Sequence, residues 1–374
     1  MPRYQLPDIS DLRRLGEPHE IAITVYAETQ PGPDQRENNL LTAKSAVDEA
    51  LRTVRERGAG GHVEKQLRDR WDDIAGSELW LRPSRSLAIF IAEDFHEVYV
   101  LPNALLTQSQ VGAYFDIGQL VRAVTTPQEA YALTLSANGW NLWRATAASR
   151  AEELPLSGEH AADVAEATNR ATVRDRDHVR RLVGDEGKKT LLETYAKRVV
   201  EAVESELTQI DPNAATPLFL FATDPLLNLY RAQDHKRPLV SVPGAPDELR
   251  PDQIDEAIRA QLSTINAEHT SALVSHIADG VSRGLVATDL QDIGRAAAAG
   301  AVSTLVYNFT VGILGRFDDA TGEVTVGDDG YDLLSRIAVT VLDKGGEVIA
   351  VRPEEVDADI WNGTAVAGLR FAST

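Results

Sequence analysis

The sequence predicts an α/β protein of several domains, on three observations. Apolar residues make up 43 % of its 374 residues, enough for packed cores. Short apolar runs of strand length alternate with longer stretches at helical spacing in every part of the chain. The length itself fits two or three domains at roughly 100–200 residues each. The expected architecture is a mixed-sheet N-terminal domain over 1–125, a mixed-sheet middle domain over 126–245 and a C-terminal α/β sandwich over 253–374. Residues 241–252, with three prolines and no periodicity, form the boundary between the last two.

Each element has a local reason. The alternating run 21–26 predicts a strand. Helices are expected over 41–57 and 63–74, parted by Gly58, Ala59, Gly60 and Gly61, because adjacent glycines raise the backbone entropy cost of a helix. Runs 87–91 and 97–101 read as a hairpin that stops at Pro102. Runs 131–136 and 140–145 read as a second hairpin, since Asn138 and Gly139 tolerate positive φ in a tight turn. After a polar stretch, 152–187, the apolar residues Leu191, Leu192, Tyr195, Val199, Val203 and Leu207 predict a helix over 188–209. A buried strand follows over 217–222. Asp224 is then expected as the N-cap of another helix, with Pro225 at its first position. A helix is expected over 253–280. Beyond it, helices over 289–299 and 331–342 alternate with strands over 302–307 and 347–351, and a last strand covers 365–371. That alternation predicts a mainly parallel sheet. Residues 107–122 are apolar enough to be core or a partner surface.

Charge and composition narrow the function. There are 57 acids against 37 lysines and arginines, a net charge of −20. A chain so acidic contacts nucleic acid only through a local basic patch. One window stands out: residues 170–198 hold nine bases against five acids. Its plainer reading is a solvated helix face paired by Asp175, Asp177, Asp185 and Glu186. Its sharper reading is a polyanion contact. The absence of cysteine removes disulfides, thiolate nucleophiles and cysteine-based metal centres. No apolar run is long enough for a signal peptide or a membrane span, so the expected location is the cytoplasm and no membrane partner is expected.

No motif indicates a reaction. Gly184 to Thr190 resembles the end of a phosphate-binding loop, but position 182 is Leu and Lys189 replaces the required Ser or Thr. Neither a dinucleotide-type glycine fingerprint nor a nucleophile elbow occurs. Of eight histidines, His269 and His276 could share a helix face, yet two ligands without a nearby carboxylate make a poor metal site. His160 and His178 lie in the polar middle stretch, where general acid–base work is possible and simple exposure is the plainer account. The acid pairs Glu152-Glu153, Asp318-Asp319 and Asp328-Asp329 read as solvated turns. No cofactor and no metal are expected.

The order of the runs carries a resemblance. The series Trp80-Leu81-Arg82-Pro83-Ser84, Ser86 to Phe90 and Val98 to Pro102 resembles the bacterial archaeo-eukaryotic release-factor-like family. Its members are bacterial relatives of the class-I peptide release factors, of Pelota and of the hibernation factor Balon. Tyr131 to Ser136, followed by Trp140-Asn141-Leu142-Trp143-Arg144, resembles the opening hairpin of the family's middle domain. Pro217 to Ala222 resembles its later core strand. Ile293 to Ala296, Ala301 to Val306, Asp332 to Leu334 and Gly345 to Val351 resemble its C-terminal α/β domain. The resemblance covers roughly 20–372 and implies a three-domain release-factor-like fold and ribosome association.

In full release factors a Gly-Gly-Gln loop of the middle domain promotes peptidyl-tRNA hydrolysis. Here Gly60-Gly61 precedes His62 and Gly345-Gly346 precedes Glu347, and no such triplet occurs. No catalytic residue is therefore carried across. The resemblance implies ribosome association, and the missing triplet argues against peptidyl-tRNA hydrolysis. The leading expectation is a non-catalytic or weakly catalytic factor that enters the vacant or stalled ribosomal A site in hibernation or rescue. Its contacts to ribosomal RNA or the tRNA acceptor end would be Arg170, Arg174, Arg176, His178, Arg180, Arg181, Lys188 and Lys189. The acidic C-terminal domain would meet a translational GTPase. Two alternatives stay open: a hydrolase of peptidyl-tRNA or another ester with a different loop chemistry, using His160 or His178, and a protein-interaction factor that no longer binds the ribosome.

Overall fold

A computed structural model describes the chain except residues 1, 31–32, 83, 102, 104, 147–148, 158–159, 161–162, 168–184, 328–329 and 373–374. Two compact units form, one from residues 1–127 with 262–374 and the other from 128–261.

The first unit opens with α1 (Ile9–Leu15), whose N-cap Asp8 accepts the Asp11 N–H at 2.9 Å. Then come β1 (Ala22–Glu28), α2 (Arg36–Glu56), α3 (Gly61–Ala75), β2 (Ser86–Ile91), β3 (His96–Leu101), β4 (Gln108–Gly112) and α4 (Gly118–Thr125). The strands lie in the order β3-β2-β1-β4 with antiparallel ladders, and Arg3 adds a parallel bridge to Tyr99. Both faces of this sheet are covered, which is why β1 and β2 are apolar at nearly every position. Ile23, Val25 and Ala27 face Val47, Leu51 and Trp71 of α2 and α3. Tyr26, Phe90 and Tyr99 face the opposite way, into a second core.

The second unit is contiguous. It holds β5 (Ala130–Ser136), β6 (Gly139–Ala145), β7 (Glu152–Glu153), α5 (Val164–Ala167), α6 (Asp185–Ile210), β8 (Leu218–Ala222), α7 (Leu226–Arg231), β9 (Leu239–Pro243) and the start of α8 (Pro251–Ala278). Its sheet, β7-β6-β5-β8-β9, is mixed: β5, β8 and β9 are parallel, β6 runs antiparallel to β5, and β7 runs antiparallel to β6. Tyr131, Leu133 and Leu142 pack against Tyr195, Val199, Val203 and Leu207 of α6.

Two local expectations change here. The helix after β8 starts at Leu226, with Pro225 as N-cap and no side-chain cap. Asp224 does not cap it, because its carboxylate accepts the Asn228 side-chain amide instead of a backbone N–H. β9 escapes the pattern because Pro238 and Pro243 bracket it; as an edge strand it can carry a proline, where a ladder donor is not needed on the outer side.

The remainder of the first unit contains β10 (Val286–Ala287), α9 (Leu290–Ala298), β11 (Val302–Asn308), β12 (Leu314–Phe317), β13 (Val324–Val326), β14 (Tyr331–Asp332), α10 (Leu333–Asp343), β15 (Glu347–Val351) and β16 (Ala365–Leu369). The mainly parallel sheet expected here is not found. In the order β10-β16-β11-β15 only β11 and β15 are parallel, and β10 and β16 run antiparallel to their neighbours. The reason is connectivity: α10 provides the crossover from β11 to β15, whereas only a single 3-10 turn, Pro353–Glu355, and no α-helix lies between β15 and β16. A small antiparallel sheet, β13-β12-β14, was also not anticipated from its three short strands.

One core serves both segments of this unit. Leu12, Leu15, Phe115 and Leu120 belong to the same buried cluster as Ile293, Leu305, Leu334 and Ile337. Arg122 reinforces it with two 2.7 Å bonds to the Glu355 carboxylate and a 3.0 Å bond to the Ala350 carbonyl. Polar groups are buried there too. Asp116 accepts the Gly118 N–H at 2.9 Å and the Gln108 amide at 2.6 Å, and Tyr26 donates to its carbonyl at 2.7 Å. Asp332 caps α10, its Oδ2 accepting the Ser335 N–H at 3.0 Å and the Ser335 hydroxyl. Asp332 Oδ1 and the Tyr307 hydroxyl are sealed from solvent with no hydrogen-bond partner. Burial pushes the Asp332 carboxyl up to about 6, against the Ser335 hydrogen bonds and with help from the Asp116 charge. Burial raises Asp116 as well.

Candidate functional site

The middle unit carries the features singled out by sequence. Six of the proposed RNA contacts, Arg170, Arg174, Arg176, His178, Arg180 and Arg181, lie outside the described residues. Lys188 falls in α6, with its side chain outside them. Lys189 is exposed; its Nζ lies 3.9 Å from Glu193 Oε1 one turn along, a loose surface pair that leaves the charge open to solvent. Asp175 and Asp177, Asp328 and Asp329, and the side chains of Asp185 and Glu186, also lie outside the description.

His160 is the one histidine of the polar stretch that is described, and it is not simply exposed. The explanation starts on α6. Val199, Val203 and Leu207 form its apolar face, and helical spacing places Glu206 beside them, where only 6 % of its side chain reaches solvent. A carboxylate so buried requires donors. It receives three: the Ser157 N–H at 3.0 Å from both oxygens, the Ser157 hydroxyl at 3.0 Å and His160 Nε2 at 2.7 Å. Burial would raise the Glu206 pKa, but the bonds from His160 and Ser157 outweigh it and hold the carboxyl below its ordinary range.

The histidine ring is tilted against Trp140 at 6.0 Å between centroids. Beside it opens a cavity of about 380 Å³, lined also by Arg198, Glu201 and Ser205. A carboxylate-oriented imidazole beside a cavity can hold and release a proton at its other nitrogen. Sequence reading considered His160 and missed Glu206 and Ser157. The available signal was a glutamate three residues after Val203 on an otherwise apolar helix face.

A second polar group in this unit is structural. Arg237, with 1 % of its side chain exposed, donates to Asp211 at 3.0 Å, lies 3.9 Å from Glu204 and stacks over the Tyr131 ring at 5.4 Å. The candidate metal pair does not form a site: His269 and His276 are both exposed, and His276 lies 3.4 Å from Asp279. Among the described residues no cluster of three or more histidines and carboxylates could hold a metal, and no helix is long and apolar enough to cross a membrane.

Comparison with known proteins bears on this same unit. Residues 127–268 match the family model of Bacterial archaeo-eukaryotic release factor family 11. No curated protein matches the chain. Among solved structures it is similar to Archaeoglobus fulgidus Pelota, at 13 % identity over 77 % of this chain and 80 % of that one, with a TM-score of 0.36. It is similar to the archaeal translation termination factor aRF1, at 14 % identity over 98 % and 99 %, with a TM-score of 0.22. It is also similar to archaeal Pelota in a model of ribosome-bound Pelota and ABCE1, at 12 % identity over 99 % and 96 %, with a TM-score of 0.37. Residues 127–268, which include the whole of the second unit, are thus similar to this release factor family.

Proposed function

We propose that this chain is a ribosome-associated factor that occupies the A site during hibernation or rescue and does not use Gly-Gly-Gln chemistry. The observation that carries this reading is the release factor family match over residues 127–268 in a sequence without that triplet. Three segments divide the work, 1–125, 126–245 and 253–374. In the middle one, Arg170, Arg174, Arg176, His178, Arg180, Arg181, Lys188 and Lys189 meet ribosomal RNA or a tRNA acceptor end. Cations clustered against phosphates give a contact that weakens as salt rises, even on a chain of net charge −20. The acidic C-terminal segment, with twice as many acids as bases over 281–374, suits a basic surface on a translational GTPase. Such a factor works in the cytoplasm, where ribosomes are.

The test is sedimentation of the tagged protein from growing and starved cells through sucrose gradients at low and moderate salt. The protein should travel with 70S particles and leave them as salt rises. Replacing Arg170, Arg174, Arg176 and Arg180 together by alanine should weaken that association and flatten its salt dependence. Protein that stays at the top of every gradient, or a fourfold variant that binds as the parent does, would refute the proposal.

A further inference from the structure

We propose that His160, held by Glu206, is a general base that activates water against a carboxylic ester in the cavity beside Trp140. The inference is independent of ribosome binding and rests on four observations in the middle unit.

The first is orientation. Glu206 accepts only, so the 2.7 Å bond makes Nε2 the protonated nitrogen and leaves the Nδ1 lone pair as the basic one. The second is access. The His160 side chain keeps 19 % of its surface exposed and lines the cavity, and among the described residues its bond to Glu206 is made through Nε2, not Nδ1. The third is rigidity. Glu206 is itself fixed by two donors from Ser157, so the imidazole is backed by a carboxylate that cannot swing away. A charged carboxylate there also stabilises the imidazolium formed when Nδ1 takes a proton. The fourth is room and charge. The cavity of about 380 Å³ lies in the range of small-ligand sites, and the exposed Arg198 stands on its wall. That cation suits an ester that carries a second, anionic group.

The step is a plain hydrolysis. Water oxygen bonds to the ester carbonyl carbon while one of its protons passes to His160 Nδ1. The carbon–oxygen bond to the alcohol then breaks, and the proton on Nδ1 passes to the departing alkoxide. Acid and alcohol leave, and the imidazole is neutral again. Glu206 is a positioning residue throughout.

The test uses the full chain with two probes, p-nitrophenyl acetate and the anionic mono-p-nitrophenyl glutarate. The expected result is turnover above buffer that rises with pH as one group loses its proton. His160→Gln should lower kcat by about 10²-fold or more. In His160→Ala, added imidazole should restore part of the rate, an outcome that a purely structural role would not give. Glu206→Gln should shift the pH profile as well as lower the rate. Arg198→Ala should raise KM for the glutarate ester alone. Equal rates for the parent and His160→Gln on both probes, or no imidazole rescue in a folded His160→Ala, would overturn the proposal.

Discussion

Asp332→Asn is expected to remove a specific pH dependence from the stability of the first unit. The Asp332 carboxyl is raised from an ordinary 3.8 to about 6 by burial, with the Asp116 charge adding to it. A shift of about 2 units corresponds to about 3 kcal/mol of preference for the protonated form in the folded state. Because the folded value is the higher one, this stabilisation is complete below about pH 3.8 and is lost as pH rises through about 6. Between pH 7.5 and pH 5 the parent should therefore gain about 1.4 kcal/mol from this group. Asparagine keeps the cap on the Ser335 N–H and carries no charge, so the variant should lack that gain and be at least as stable as the parent at pH 7.5. His96 acts oppositely in the same window: burial lowers its pKa, so acid costs stability there. The difference between parent and variant cancels it. Thr24, Tyr26, Gln108, Tyr307 and the paired Arg122 surround the two aspartates and are unchanged in both proteins. The assay is amide hydrogen exchange of β11 and α10 in urea, with intrinsic rates corrected for pH. Parallel pH profiles for the two proteins would refute the reasoning.

Arg237→Met should cost about 3–5 kcal/mol in urea unfolding of the middle unit, because Asp211 and Glu204 would lose their cation while staying partly buried. An unchanged midpoint would contradict that account. Gly315→Ala should destabilise the small sheet by about 1–3 kcal/mol or more, since a Cβ would lie 2.3 Å from the Thr325 carbonyl oxygen and 2.8 Å from Leu333. Exchange protection of β12 and β13 should fall, and protection equal to the parent's would show that the backbone yields more easily than the packing suggests.

Local chemistry made much of the fold legible. The Asn138-Gly139 turn marks the β5–β6 hairpin, and the apolar spacing from Leu191 to Leu207 marks α6 to within a few residues. What was not legible depends on distant partners. The direction of β16 is fixed by pairing with Val302 to Tyr307, some sixty residues earlier, and nothing in Ala365 to Leu369 encodes it. β12, β13 and β14 are too short for any period to show. The His160–Glu206 contact joins residues separated by 46 positions, each ordinary alone. Only burial of α6 turns Glu206 into a group that must find donors. The charge pattern of 170–181, by contrast, is legible in sequence and has no counterpart among the described residues.

The discontinuous core of the first unit has a consequence for synthesis. Leu12, Leu15, Phe115 and Leu120 leave the translating ribosome long before Ile293, Leu305 and Ile337, which complete their packing. At about 5–20 residues per second, the delay is on the order of ten seconds. The contiguous 128–261 unit is complete before its neighbour has all its parts. During that interval the apolar face of the early segment is open to nascent-chain chaperones and to self-association. Slowed elongation between codons 128 and 261 would prolong this exposure, so yield in cells should depend on translation speed there more than on the stability of the finished protein.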